Sequence, residues 1–185
     1  MRFLRNVLLF AAILITAQGC ADLAARISSN PVERRSAGTL VDDDTIESTA
    51  MSRIQEKYKD TAQITVTSYN RFVLITGDAT TKEAKTDIER IVYSIPNVKN
   101  ISNEVSVGGL SSQSVRYADA GITRDVKMEL SRNKTLPART IKVTTDRGVV
   151  YLLGFVTHAE AKIASEIAST TSGVQKVVRV VEYIY

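Results

Sequence analysis

Apolar positions along this chain follow a helical period, then a two-residue period, then the helical period again, and they run through that cycle twice. In the first cycle Ile46, Ala50, Ile54 and Tyr58 recur at helical spacing behind Asp44, with Glu47 three residues on. That pattern predicts an acid-capped amphipathic helix starting near Asp44. Ile64, Val66 and Ser68 then alternate, a turn is expected at Tyr69-Asn70, and a more apolar strand runs from Phe72 to Thr76 and ends at Gly77. Thr80 and Glu83 read as a capping box opening a second helix that buries Ala84, Ile88, Ile91, Val92 and Ile95. Pro96-Asn97 stops it, and a last strand carries Val98, Ile101, Val105 and Val107.

The second cycle is a copy of the first. Ile64-Thr-Val-Thr67 recurs 77 residues later as Ile141-Lys-Val-Thr144, and Val73 to Gly77 recurs at the same shift as Val150 to Gly154. Upstream the shift is 76, carrying Ile46, Ala50 and Ile54 onto Ile122, Val126 and Leu130 behind Asp119. One extra residue therefore enters the second copy near Leu136-Pro137. Chance does not hold one register across so many blocks, so the chain contains an internal duplication. Asp146-Arg147-Gly148 is the hairpin turn of the second copy. Its second helix opens at Thr157 and Glu160, buries Ala161, Ala164, Ile167 and Ala168, and stops at Ser172-Gly173, before a strand with Val174, Val177, Val181 and Tyr183.

The fold class is α+β: two tandem αββαβ modules over residues 43–107 and 118–185, each with two helices on one face of a three-stranded sheet, joined by a linker at 108–117. A core of roughly 65 residues is thin, so packing between the copies is expected to help.

The first 19 residues differ in kind. Arg2 and Arg5 precede an apolar run from Asn6 to Ile15, and small residues follow up to Gly19, as in a secretory signal. The sole cysteine, Cys20, stands directly after it. A lone Cys forms no internal disulfide, and its place resembles the lipobox of bacterial lipoproteins, where the Cys is lipidated and becomes the first residue. Ala17 and Gln18 depart from the usual lipobox pattern. The competing reading is a soluble periplasmic protein cut nearby. Ala21, where an Asp signals inner-membrane retention, resembles an outer-membrane destination on the periplasmic face. Residues 20–42 lack a sustained apolar stripe and read as a tether.

Charge changes little. The sequence holds 24 basic and 20 acidic residues, and loss of Arg2 and Arg5 with the leader leaves 22 against 20. So small a surplus gives no reason to expect a nucleic-acid partner. Catalytic chemistry finds no support: His158 is the only histidine, no Ser sits in a G-x-S-x-G context, and Gly108-Gly109 lacks the Lys of a phosphate loop. No metal site or cofactor is expected, and Asp42-Asp43-Asp44 reads as helix capping rather than a cation site.

Local basic clustering does occur, on the first helix of the second copy and its exit. Arg124, Lys127, Arg132, Lys134 and Arg139 gather there against Asp125 and Glu129, with Ile122, Met128 and Leu136 as apolar neighbours. Such a helix fits a contact with an anionic leaflet, and it fits equally an ordinary solvated amphipathic helix.

Ser36 to Asp43, Ile141 to Thr145 and Gly154 to Lys162, set in this order of helix, hairpin, capped helix and valine-rich strand, resemble the BON domain. Two such domains behind a lipobox imply a non-enzymatic envelope-integrity lipoprotein acting at division sites. The resemblance also implies binding of anionic phospholipid through the second domain, and so favours the leaflet contact over the solvated helix. The residues it points to are Ile122, Arg124, Lys127, Met128, Arg132, Lys134 and Leu136. An aromatic anchor is missing at Gly121, and Tyr117 is the nearest substitute. The alternative it implies is a protein adapter for outer-membrane protein assembly or cell-wall amidase regulation, with Tyr183 and Tyr185 as candidate contacts.

Overall fold

The computed structural model describes residues 33–185; the leader, Cys20, Ala21 and the tether up to residue 32 lie outside the described residues. The first module comprises α1 (Ala37–Tyr58), β1 (Ala62–Tyr69), β2 (Phe72–Ala79), α2 (Lys82–Tyr93), β3 (Asn100–Asn103) and β4 (Ser106–Val107). The second comprises α3 (Gln113–Arg132), a 3-10 turn at Ala138–Thr140, β5 (Ile141–Asp146), β6 (Val149–Val156), α4 (His158–Thr170) and β7 (Lys176–Tyr183). In each sheet the second strand is central, antiparallel to the first and parallel to the last. The α+β class and the tandem αββαβ order follow directly.

Both first helices start earlier than the acidic residues suggested. Ser36 caps α1 by accepting from the Thr39 N–H, and Ser112 caps α3 by accepting from the Val115 N–H. The tether reading at 37–42 and the linker reading at 113–117 are therefore corrected to helix. The two caps are 76 residues apart, the same register that relates the helices.

Asp43 and Asp119, taken from the sequence as cap-region acids, are buried inside the helices. Their work is across the module. Asp43 accepts from the N–H groups of Asn70 (2.9 Å) and Arg71 (2.7 Å), and Asp119 from those of Arg147 (2.9 Å) and Gly148 (2.8 Å). Asn70-Arg71 and Arg147-Gly148 are two-residue hairpin turns with positive φ at both positions, the primed geometry that matches strand twist. The first turn thus lies one residue beyond Tyr69-Asn70. A carboxylate from the helix satisfies both turn donors, which burial would otherwise leave unpaired.

The second helices also differ from expectation in one copy. Thr157 and Glu160 form the reciprocal capping box, but in the first module the cap is Thr81, whose hydroxyl accepts from the Ala84 N–H. Glu83 then falls outside the box.

The third strand is continuous over eight residues in the second module and broken in the first, between β3 and β4. The register on either side of the break is unchanged, Ile75 pairing Asn103 and Asp78 pairing Ser106. The gap lies opposite Gly77, whose φ of +111° turns the central strand there. Gly154 has no such φ, and its ladder runs through.

Each module has its own core between helices and sheet, around Ile46, Ile75 and Ile88 in one and Val126, Leu152 and Ala164 in the other. A third core lies between the modules. Tyr69 and Leu74 from the first sheet meet Tyr151 and Leu153 from the second, with Val178 and Val180 alongside. The helix-free faces of the two sheets pack on each other, which explains why both central strands are apolar on both faces. Glu33–Tyr185 is accordingly one compact unit.

Candidate functional site

Helix α3 buries Val126 and Leu130 against β5 and β6, so the opposite side faces outward. Because the helix starts at Gln113, Tyr117 lies on it, and at spacings of four, seven and eleven residues it aligns with Gly121, Arg124 and Met128. Tyr117 is 68% exposed and Met128 42%, the two large apolar side chains of this ridge. The Tyr117 hydroxyl accepts from the Gln113 side-chain amide at 2.8 Å.

Arg124, Lys127, Arg132 and Lys134 are all exposed around this ridge. Arg124 pairs with its neighbour Asp125 at 3.0 Å, and Arg132 with Glu129 at 2.6 Å. Both pairs are solvent-exposed and therefore weak, so either guanidinium is available to a stronger anion. Lys127 and Lys134 have no ion pair among the described residues. Met128 and Arg132 also border a cleft of about 670 Å³ between α3 and α4, whose wall includes Asp125, Glu129, Ile167 and Thr170.

Two residues of the sequence-derived set belong elsewhere. Leu136 is only 5% exposed and sits in the second core, so it anchors the helix exit rather than facing outward. Ile122 is half-buried against the same core and touches the space beside Gly173. The outward set is therefore Tyr117, Arg124, Lys127, Met128, Arg132 and Lys134. The placement of Tyr117 on this face was hidden by the later helix start; the Ser36 to Ser112 register was the signal that could have shown it.

Of the adapter contacts, Tyr183 is half-buried and stacks on His158 with ring centroids 3.9 Å apart, while Tyr185 is fully exposed.

The N-terminal arm is fastened to the second module as well. Arg34 forms a double ion pair with Glu160, at 2.8 and 2.7 Å, and donates to the Phe155 carbonyl at 2.9 Å. The guanidinium holds the Glu160 carboxyl down at about 2. Among the described residues no group of His, Cys, Asp and Glu has the grouping of a metal site, and no helix is long and apolar enough to cross a membrane.

The BON domain model matches the chain twice, over residues 42–109 and 118–185. A 21 kDa hemolysin of Actinobacillus pleuropneumoniae is 34% identical over 158 residues, covering 84% of this chain and 81% of that protein. The outer membrane lipoprotein DolP of Haemophilus influenzae is 30% identical over 187 residues, covering 96% and 94%. The osmotically-inducible protein Y of Escherichia coli is 28% identical over 141 residues, covering 75% of this chain and 64% of its own length. With two matched domains filling both structural modules and a full-length likeness to DolP, the chain belongs to the BON-domain family as a dual-BON, DolP-like protein.

Proposed function

We propose that this protein is a non-enzymatic lipoprotein, anchored through Cys20 on the periplasmic face of the outer membrane, that binds anionic phospholipid through α3 and supports envelope integrity at division sites. One observation carries the lipid reading: Tyr117 and Met128 lie on the outward ridge of α3, ringed by exposed Arg124, Lys127, Arg132 and Lys134. Aromatic and thioether groups enter the headgroup boundary while cations meet phosphate, each contributing about 1 kcal/mol near an anionic surface. The likeness to an outer membrane lipoprotein supports the address.

Attachment does not depend on this affinity, because the acyl anchor already confines the module near the leaflet. The helix contact instead orients the module and gains from high effective concentration. Flotation with vesicles of neutral lipid, alone or mixed with phosphatidylglycerol, tests the reading. Binding should require the anionic lipid, fall with salt, and drop about tenfold on combined Arg124→Glu and Lys127→Glu substitution. Equal flotation on neutral vesicles would refute it.

A further inference from the structure

The last strand of the second sheet has a free side. The inward bond from the Ile184 N–H to the Val156 carbonyl (3.0 Å), in the uniform register of β6 with β7, sets the alternation along β7. Val177, Arg179, Val181 and Tyr183 then turn their N–H and C=O groups away from β6. Among the described residues no hydrogen bond reaches these outward groups. The edge is eight residues long, valine-rich and uninterrupted. Its counterpart in the first module is broken opposite Gly77 and carries Asn100, Ser102 and Asn103, which is how a protected edge looks.

We propose that the β7 edge takes up an extended, acidic peptide segment as a fourth strand of the second sheet. Unpaired backbone donors and acceptors at β spacing are complementary to an extended chain and to little else. Val178 and Val180 border a cleft of about 300 Å³ whose far wall is Phe72, Ile101 and Ser102 of the first module, giving room for alternate side chains. The charge is one-sided: Lys176, Arg179 and the nearby Lys99 are exposed and without an ion pair among the described residues. The one acid of the strand, Glu182, is already engaged by the Asn70 side-chain amide at 2.6 Å. This surface does not involve α3, so it stands independently of the lipid reading.

The test uses the full ¹⁵N-labelled chain in detergent micelles, titrated with an eight-residue peptide alternating valine with glutamate and threonine. Two further peptides carry N-methyl groups on alternate residues, one set in each phase. The unmodified peptide should shift the amides of Lys176–Tyr183 and leave those of α3 unmoved. One N-methylated form should lose at least about tenfold in affinity while the other keeps it, because only one set of N–H groups faces β7. Lys176→Glu with Arg179→Glu, both exposed positions, should weaken the unmodified peptide by a similar factor and more at low salt. Absence of binding, equal loss for both methylated forms, or shifts centred on α3 would overturn the proposal. Concentration-dependent shifts along β7 without peptide would overturn it too, by assigning the edge to a second copy of the chain.

Discussion

At the scale of single residues, two carboxylates tie together segments far apart in sequence, Asp119 to the Arg147-Gly148 turn and Glu160 to Arg34. Asp119, itself buried, satisfies the backbone donors of Arg147 and of buried Gly148, and leaving a buried donor unpaired costs about 1–3 kcal/mol. Asp119→Ala should therefore lower unfolding free energy by about 2–5 kcal/mol, read from denaturant midpoints at unchanged slope. Asn at this position should recover part of that, since one side-chain oxygen remains to accept. Glu160 offers a pH signature instead. Its carboxyl, held by Arg34, titrates at about 2 rather than at the ordinary value of 4.5. A depressed folded value means the stabilisation is complete above about pH 4.5 and is lost as pH falls towards 2. Carbon NMR titration should show the Glu160 midpoint rising towards its ordinary value in Arg34→Ala, and the N-terminal arm should detach from α4 at neutral pH in that variant.

Element by element, the duplicated glycines look alike in sequence and behave differently. A Cβ at Gly77 would stand 1.9 Å from the Gln63 carbonyl oxygen, on a backbone with φ of +111°. At Gly154 it would stand 2.8 Å from the Thr140 carbonyl oxygen with an ordinary φ. Gly77→Ala should cost about 3–5 kcal/mol and Gly154→Ala about 1–3, since only the first adds backbone strain to the clash. Gly121, on the outward ridge, is the opposite case, because a Cβ added there would meet nothing within 4 Å. Gly121→Ala should stabilise the protein by about 0.5–1 kcal/mol, and Gly121→Trp should strengthen binding to anionic vesicles severalfold. Periodicity made the order of elements legible, including both Gly-terminated strands. It missed the first two turns of α1 and α3, because Asp43 and Asp119 imitate cap residues while in fact reaching to a turn distant in sequence. Ser36 and Ser112, the true caps, begin turns without an apolar stripe, and a stripe is what marks a helix in sequence. The basic cluster was legible residue by residue, but the division between outward Met128 and buried Leu136 required the path of the chain beyond Asn133.

For the whole molecule, duplication had a consequence that neither copy shows alone. Each sheet keeps an apolar face that its own helices do not cover, and the two faces close on each other through Tyr69, Leu74, Tyr151 and Leu153. Polar ties surround that seam: Lys142 to Glu47 at 2.8 Å, Arg147 to Asp78, and Arg34 to Glu160. Asp78 also accepts from the linker N–H of Ser111 at 2.7 Å, so the linker is fixed to the same seam. Two thin cores joined in this way should unfold together, in one calorimetric transition. Leu153 is fully buried there, and its truncation to Ala should cost about 2–5 kcal/mol. Because the lost contacts belong to both modules, the variant should also broaden or split the transition, whereas Leu130→Ala, of similar cost, strikes the second core alone. If Leu153→Ala left a single sharp transition and Leu130→Ala divided it, the seam would not be what couples the modules. The same coupling gives the proposed lipid contact a further test: a second module held to the first presents α3 in a fixed orientation, so if α3 is the contact, loosening the seam should weaken vesicle binding without any change to the helix itself.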